Sequence, residues 1–247
     1  MAQNITGGLA GYLGSFILVF AACTISCGGM VANSPNVDST LTKGDFIMAD
    51  LTRQELTRRA ASLGNPILTT LENPETVVER MPTSYFLDGG LYRVSTRPPE
   101  RPRTYVLGVW GKNEISVLNN EPDAFFKLAA NAGLKLTTGG DYVDYVTTFL
   151  DATRDYTGGI QVLTNIDESW WLPKPTPEEA RRREEVTAKY TKVVEAPKPS
   201  HESNSTVIVY CIRDRNLLRM NAKVENDGNI KISEDLLEAE MPTVMLR

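Results

Sequence analysis

The sequence predicts an α+β fold in which an N-terminal membrane segment is followed by a soluble domain of antiparallel meanders with three to five helices. Runs rich in β-branched and aromatic residues come in clusters, helix-start signals lie between the clusters, and strand and helix do not alternate regularly. That arrangement is typical of α+β proteins and not of a parallel doubly wound sheet. The 247 residues, of which 41% are hydrophobic and 23% charged, suffice for a folded domain with its own core.

The N-terminal segment is uncharged over an unusual length. No Asp, Glu, Lys or Arg occurs in residues 1–37, and residues 9–27 are rich in Leu, Ile, Val and Phe. About 20 consecutive apolar residues are the length of a bilayer-spanning helix, whereas a helix of a soluble core normally turns one polar side to water. We therefore interpret residues 1–32 as a transmembrane segment or as a signal or lipoprotein-type segment.

Three interpretations of this segment are consistent with its sequence: a cleaved signal, a lipoprotein signal and an uncleaved transmembrane span. The apolar run 16–20 and the two alanines after it fit a cleaved secretory signal, although no basic residue precedes the run. Residues 20–23, Phe-Ala-Ala-Cys, resemble the lipobox of bacterial lipoproteins, which usually has Leu in place of the Phe. That resemblance implies lipidation at Cys23. The uncharged length, with two glycines at GxxxG spacing, fits an uncleaved single span.

The side of the membrane on which the domain lies depends on which of these three interpretations is correct. Short apolar N-terminal segments followed by a polar linker and one folded domain are most often export devices, so we expect an extracytoplasmic domain. The positive-inside rule, applied to Lys43 and the later Arg53, would place the domain in the cytoplasm instead. The expected partners are the membrane and a larger membrane protein complex. Nucleic acid is not expected, because the formal charge is −5.

Residues 33–82 are interpreted as a polar tether followed by N-terminal helices. Thr52 and Glu55 have capping-box spacing, so a first helix should begin there and stop at Gly64, with Pro66 beyond the stop. A short second helix should begin at Pro74, behind Asn73 as its N-cap.

Residues 83–195 are interpreted as an α+β core. The predicted elements are a meander of strands at 91–96, 104–110 and 114–118, helices from Pro122 to Gly133 and from Asp141, and a short strand at 160–163. A charged helix should begin with a capping box formed by Thr176 and Glu179 and end near Tyr190. Residues 196–247 are interpreted as part of the same domain. They comprise a Pro-bearing connector, 196–205, and a C-terminal meander. Its strands are predicted at 206–212 and 217–224. Residues 226–228, Asn-Asp-Gly, form the hairpin turn of the meander, because Asp and Gly tolerate positive φ.

The residue types that carry most enzyme chemistry are scarce. His201 is the only histidine and lies in the connector, where a solvated loop position is the simpler interpretation. Cys211 lies between apolar residues and is expected to be a buried strand residue. No zinc, phosphate-binding or nucleophile-elbow spacing occurs. We therefore predict no catalytic residue, no cofactor and no metal site.

Two surface features could bind a partner. Arg97, Arg101 and Arg103 are concentrated in a Pro-rich turn between two predicted strands, which could hold an acidic partner or a lipid headgroup. Trp170 and Trp171 could form a partner-binding or membrane-interface pair. The simpler interpretations are a soluble hairpin loop and a tryptophan that caps the core.

The missing catalytic groups and the apolar segment together favour a membrane-anchored, non-enzymatic interaction or accessory-subunit protein. The alternative is a carboxylate-dependent enzyme or a small-ligand-binding domain, with its cleft between the terminal meander and the helices. Candidate acid pairs are Asp141 with Asp144 and Glu178 with Glu179. Both pairs also fit the electrostatics of a helix N-terminus.

Overall fold

Five α helices and nine strands, all in antiparallel sheets, make up the part of the chain that the structure describes. The structure is a computed structural model and describes residues 51–96, 103–154 and 159–244. The predicted α+β class, with antiparallel sheets and three to five helices, is confirmed for these residues. The predicted membrane segment, residues 1–32, lies outside them. None of the described helices combines the length and the apolar character needed to cross a bilayer.

The nine strands form two sheets, each built from one part of the chain. The helices are α1 (Arg53–Ala60), α2 (Asn65–Glu72), α3 (Pro122–Asn131), α4 (Gly139–Ala152) and α5 (Pro177–Tyr190). The strands are β1 (Val77–Met81), β2 (Gly89–Ser95), β3 (Thr104–Trp110), β4 (Glu114–Val117), β5 (Gln161–Val162), β6 (Lys198–Pro199), β7 (Thr206–Arg213), β8 (Asn216–Val224) and β9 (Ile230–Glu238). The first four strands form one sheet and the last five form a second.

The first sheet is an antiparallel meander in the order β1-β2-β3-β4. The meander predicted for β2, β3 and β4 is confirmed. Strand β1 was not predicted, because a helix was expected to begin at Pro74, and that expectation is wrong. The side-chain oxygen of Asn73 accepts a hydrogen bond from the N–H of Glu75 at 3.0 Å, which closes a turn. The β-branched Val77 and Val78 then begin a strand.

The second N-terminal helix lies earlier than predicted. Gly64 lies between α1 and α2. Its φ of +90° is in the backbone region that favours glycine. Pro66 was expected to lie beyond a helix stop, yet it lies in the first turn of α2, where its missing N–H costs nothing. The predicted N-cap of α1 is confirmed, since the Thr52 side chain accepts a hydrogen bond from the Glu55 N–H.

The second sheet has the order β5-β7-β8-β9, and β6 also pairs with β7. The predicted strands at 206–212 and 217–224 and the turn between β8 and β9 are confirmed, with Gly228 at a φ of +86°. The connector 196–205 is polar as expected, but Lys198 and Pro199 pair with β7. A β-bulge at Leu217/Leu218 ends the regular pairing of β8 with β9.

The helices and sheets pack in layers around three apolar clusters. Helices α1 and α2 pack on one face of the first sheet, around Leu56, Leu71 and Leu107. The largest cluster lies between the two sheets and contains the buried faces of α3 and α4. Helix α5 packs on the outer face of the second sheet, around Val186 and Tyr190. Both faces of the first sheet are therefore covered, and the layer formed by α3 and α4 contacts both sheets.

Close contacts fix α3 and α4 between the sheets. A Cβ added at Gly89 of β2 would come within 2.5 Å of the Ala132 Cβ at the end of α3, so only glycine allows this approach. The Tyr145 hydroxyl of α4 donates a hydrogen bond to the Gly228 carbonyl oxygen at 2.6 Å, which ties α4 to the tip of the β8–β9 hairpin. The backbone of that hairpin is thus anchored at its tip.

Helices α4 and α5 begin with complete capping boxes. In α4 the Thr138 side chain accepts from the Asp141 N–H, and the Asp141 carboxylate accepts from the Thr138 N–H. Thr176 and Glu179 form the same pair at α5, as predicted. Each box supplies partners for N–H groups that the helix itself leaves unpaired.

Candidate interaction surface

The tryptophan pair lies on a short backbone bridge to the C-terminal segment. Trp171 pairs with Thr243, and the Val244 N–H donates to the Trp170 carbonyl oxygen at 2.7 Å. The Gln161 side chain of β5 accepts from the Trp170 N–H at 3.0 Å. The backbone of both tryptophans is therefore fixed from two directions.

The two tryptophan side chains have different surroundings. Trp171 packs against the cluster under α5, and the Arg183 guanidinium lies 5.4 Å from its ring centroid. This agrees with the interpretation that one tryptophan caps the core. Trp170 is 39% exposed, and Val244 beside it is equally exposed. We name these two exposed side chains the Trp170 surface.

The bridge under the Trp170 surface contains two buried polar atoms without a partner. Within the described residues, neither Trp171 Nε1 nor Thr243 Oγ1 makes a hydrogen bond, although both atoms are buried. A buried polar group without a partner costs free energy. A bound water or a polar group of another molecule would lower that cost at this position.

The predicted arginine cluster is described only at its edge. Arg97 and Arg101 lie outside the described residues. Arg103 is exposed, and its N–H donates to the Thr96 hydroxyl oxygen at 3.0 Å while its carbonyl oxygen accepts from the Thr96 N–H at 2.9 Å. These bonds close the base of the loop between β2 and β3. Whether the three arginines act together stays a prediction.

A second exposed region, β9, was not predicted as a surface. Among the described residues β9 pairs only with β8, and residues 231–236 are exposed on both faces of the sheet. Ile232 and Leu236 are 36% and 61% exposed on the side where α3 and α4 cover the neighbouring strands. The sequence contains two signs of this exposed strand. An Asp-Gly turn precedes β9, and charged residues occur on both of the alternating sets of positions in the strand. Those charges indicate that neither face is buried.

Ion pairs hold the charged side chains of β9 in place. The Arg213 guanidinium donates to the two Glu234 carboxylate oxygens at 2.9 and 2.5 Å. Lys231 Nζ lies 2.6 Å from a Glu225 carboxylate oxygen. These pairs are exposed, so each contributes little stability.

Glu238, at the end of β9, connects the strand to α5. Its carboxylate accepts hydrogen bonds from Lys189 Nζ at 2.8 Å and from the Tyr190 hydroxyl at 3.0 Å, and it also pairs with Arg182. The hydrogen bond from Lys189 is the main cause that lowers the Glu238 pKa below its usual value. The Glu238 side chain is only 10% exposed, so its carboxylate is largely enclosed by these contacts with α5.

The residues considered for catalysis do not converge in the described part of the chain. His201 lies exposed in its loop, as expected. Cys211 is fully buried, and burial raises the pKa of its thiol to about 12, so the thiol stays protonated and unreactive at neutral pH. The Asp141 carboxylate accepts hydrogen bonds from the Thr137 side chain and from two backbone N–H groups, which lowers its pKa to about 2. Asp141 and Glu179 serve as helix caps.

No set of three or more His, Cys, Asp or Glu side chains in the described residues is placed to hold a metal ion. Cys23, the residue at which the lipobox resemblance implies lipidation, lies outside the described residues. No family model, curated protein or solved structure matches this chain. A proposal for its function therefore has to rest on the arrangement of its own residues.

Proposed function

We propose that this protein is a membrane-anchored, extracytoplasmic interaction or accessory-subunit protein that contacts a protein partner through the Trp170 surface. The uncharged residues 1–37 support the membrane anchor. The exposed Trp170 side chain on a fixed backbone supports the interaction role, and it is the single observation that carries the proposal.

An exposed tryptophan on a rigid frame suits a binding site for physical reasons. Tryptophan buries a large area when it enters a partner, and it is enriched among the residues that contribute most to binding. Its backbone is already fixed by Gln161 and Val244, so binding costs little additional conformational entropy. A protein surface with an apolar pocket is the partner that these features complement.

Copurification after mild detergent extraction tests the interaction. We expect the full chain to retain a partner at a fixed ratio, and Trp170→Ala to lose that partner while it folds normally. The matched control is Leu87→Ala, which truncates another exposed apolar side chain, at 57% exposure, next to Gly133. Equal retention by Trp170→Ala and by the control would contradict the assignment of the surface. A partner-free chain with hydrolase activity on a substrate panel would contradict the interaction role itself.

Intact-mass measurement of the membrane-extracted chain tests the anchor. A chain that begins at a lipid-modified Cys23 supports a lipoprotein outside the cytoplasm, and retention of Met1 with integral-membrane behaviour supports a single span. Full-length chain recovered in the soluble fraction without detergent would contradict the membrane anchor.

A further inference from the structure

Strand β9 offers an open edge that is long for a natural sheet. It has nine residues, pairs with β8 along one side, and pairs with no strand on the other side within the described residues. Natural proteins usually shorten such edges, place proline in them or cover them, because an open edge can pair with another chain. Strand β9 contains no proline, and its bulge lies only at its C-terminal end. The regular stretch from Ile230 to Leu236 is therefore available for pairing.

The side chains of β9 divide between the two faces of the sheet in a defined way. Ile230, Ile232, Glu234 and Leu236 face the side of α3 and α4, because they lie opposite Val224, Ala222, Met220 and Leu218 of β8. Lys231, Ser233 and Asp235 face the opposite side. One face thus presents the exposed Ile232 and Leu236 with one carboxylate, beside the buried Ile230. The other face presents a cation, a hydroxyl and an anion in order.

We infer that β9 pairs antiparallel with β9 of a second copy of this chain, around a twofold axis at Ser233. A twofold axis perpendicular to the sheet places Lys231 opposite Asp235 of the other copy, and this contact occurs twice. On the other face Ile230 lies opposite Leu236 of the second copy and Ile232 lies opposite Glu234, so the apolar contacts are the Ile230–Leu236 pairs and their diagonal neighbour Ile232. Cross-strand pairs of opposite charge and of apolar side chains both stabilise a sheet.

The neighbouring twofold registers are less favourable. An axis at Glu234 places the two Glu234 carboxylates directly opposite each other, and an axis at Asp235 does the same for the Asp235 carboxylates. Like charges directly opposite each other destabilise a sheet. An axis at Ile232 places Lys231 opposite Ser233 and leaves no pair of opposite charges. The register at Ser233 alone combines two opposite-charge pairs with apolar contacts and no facing like charges.

Disulfide cross-linking of the full chain in mild detergent tests this register. In Ser233→Cys the two introduced thiols lie directly opposite each other, within the Cα separation that a disulfide requires. We expect a cross-linked dimer on mild oxidation, with the bond located between the two introduced cysteines by peptide mass. In the matched control Asn229→Cys, which keeps both Lys231–Asp235 pairs, the introduced thiols are offset by eight residues, about 26 Å along the strand, so they should not link to each other. The unchanged chain gives the background from its own cysteines.

A charge exchange gives a second measurement that needs no new thiol. Lys231→Glu and Asp235→Lys, each alone, should weaken self-association about tenfold in sedimentation, because each replaces two opposite-charge pairs by two like-charge pairs. The double variant Lys231→Glu with Asp235→Lys should restore the association. No cross-link in Ser233→Cys, equal cross-linking in the control, or a double variant as weak as the single variants would overturn the inference. A chain that stays monomeric up to its solubility limit would also overturn it.

Discussion

Strands β2 and β9 are both long antiparallel strands, yet they have opposite surroundings. Strand β2 lies between β1 and β3, and helices cover both of its faces. Among the residues that the structure describes, strand β9 lies beside β8 alone, and residues 231–236 are exposed. The sequences reflect this difference. Strand β2 has apolar residues pointing to both faces of its sheet, and β9 has charged residues pointing to both faces. The first sheet is therefore a covered scaffold, and the open side of the second sheet is a surface that other molecules can reach.

The same substitution in the two sheets should have the most unequal effect. Leu107 in β3 is fully buried, so Leu107→Ala should lower the free energy of unfolding by about 3 kcal/mol through lost transfer energy and a cavity. Leu236→Ala in β9 removes an exposed side chain and should change the free energy by less than about 0.5 kcal/mol. Denaturant unfolding of both variants measures the difference. Similar losses would contradict the contrast between a covered sheet and an open strand.

The close approach of β2 to α3 should make Gly89→Ala destabilising. The added Cβ would lie 2.5 Å from the Ala132 Cβ and 3.0 Å from the Val109 carbonyl oxygen. Such overpacking should cost about 2 kcal/mol in the free energy of unfolding. The double variant Gly89→Ala with Ala132→Gly should recover part of this loss, because it removes the nearer atom. A neutral Gly89→Ala would show that the layers are less tightly packed than the structure indicates.

The largely enclosed contact of β9 with α5 should be measurable separately. Glu238→Gln keeps the shape of the side chain but removes the charge that pairs with Lys189 and Arg182 of α5. We expect a loss of about 1 kcal/mol in the free energy of unfolding, since hydrogen bonds between charged groups are weakened. Glu234→Gln, at the exposed pair with Arg213, is the control and should cost less. Equal losses would mean that α5 does not hold the end of β9.

The smallest effect concerns pH and the cap of α4. The lowered Asp141 pKa, about 2 against the usual 3.8, means that its carboxylate stabilises the folded state when it is ionised. This contribution is present above the usual pKa and is lost as pH falls toward 2. The difference in unfolding free energy between the unchanged chain and Asp141→Asn should therefore narrow from neutral pH to pH 2. A difference that is independent of pH would show that the cap does not depend on charge.

Local signals predicted much of the fold, but the failures have a common cause. The Thr176 capping box, the meander β2-β3-β4 and the Asp-Gly hairpin were predicted because neighbouring residues determine them. Asn73 was misread because an Asn can close a turn as readily as it caps a helix, and the choice depended on the pairing of β1 with β2.

The candidate surfaces were predictable to different degrees. The exposed Trp170 and the partly buried Trp171 could not be told apart in sequence, because a backbone bridge to Thr243 decides which ring faces the core. The exposure of β9 also depends on contacts distant in sequence, since α4 packs on β7 and β8 while only Ile230 of the strand beside them is buried. Sequence periodicity gives the faces of a strand, but not what lies beyond its edge.

Amide hydrogen exchange of the full chain at low and high protein concentration tests the central contrast most directly. The account predicts that peptides from β2 are protected at both concentrations, because helices and strands of the same chain cover them. Peptides from β9 should exchange faster when the protein is dilute and gain protection as concentration rises, because a second strand then occupies the open edge. Equal and concentration-independent protection of β2 and β9 would contradict the account.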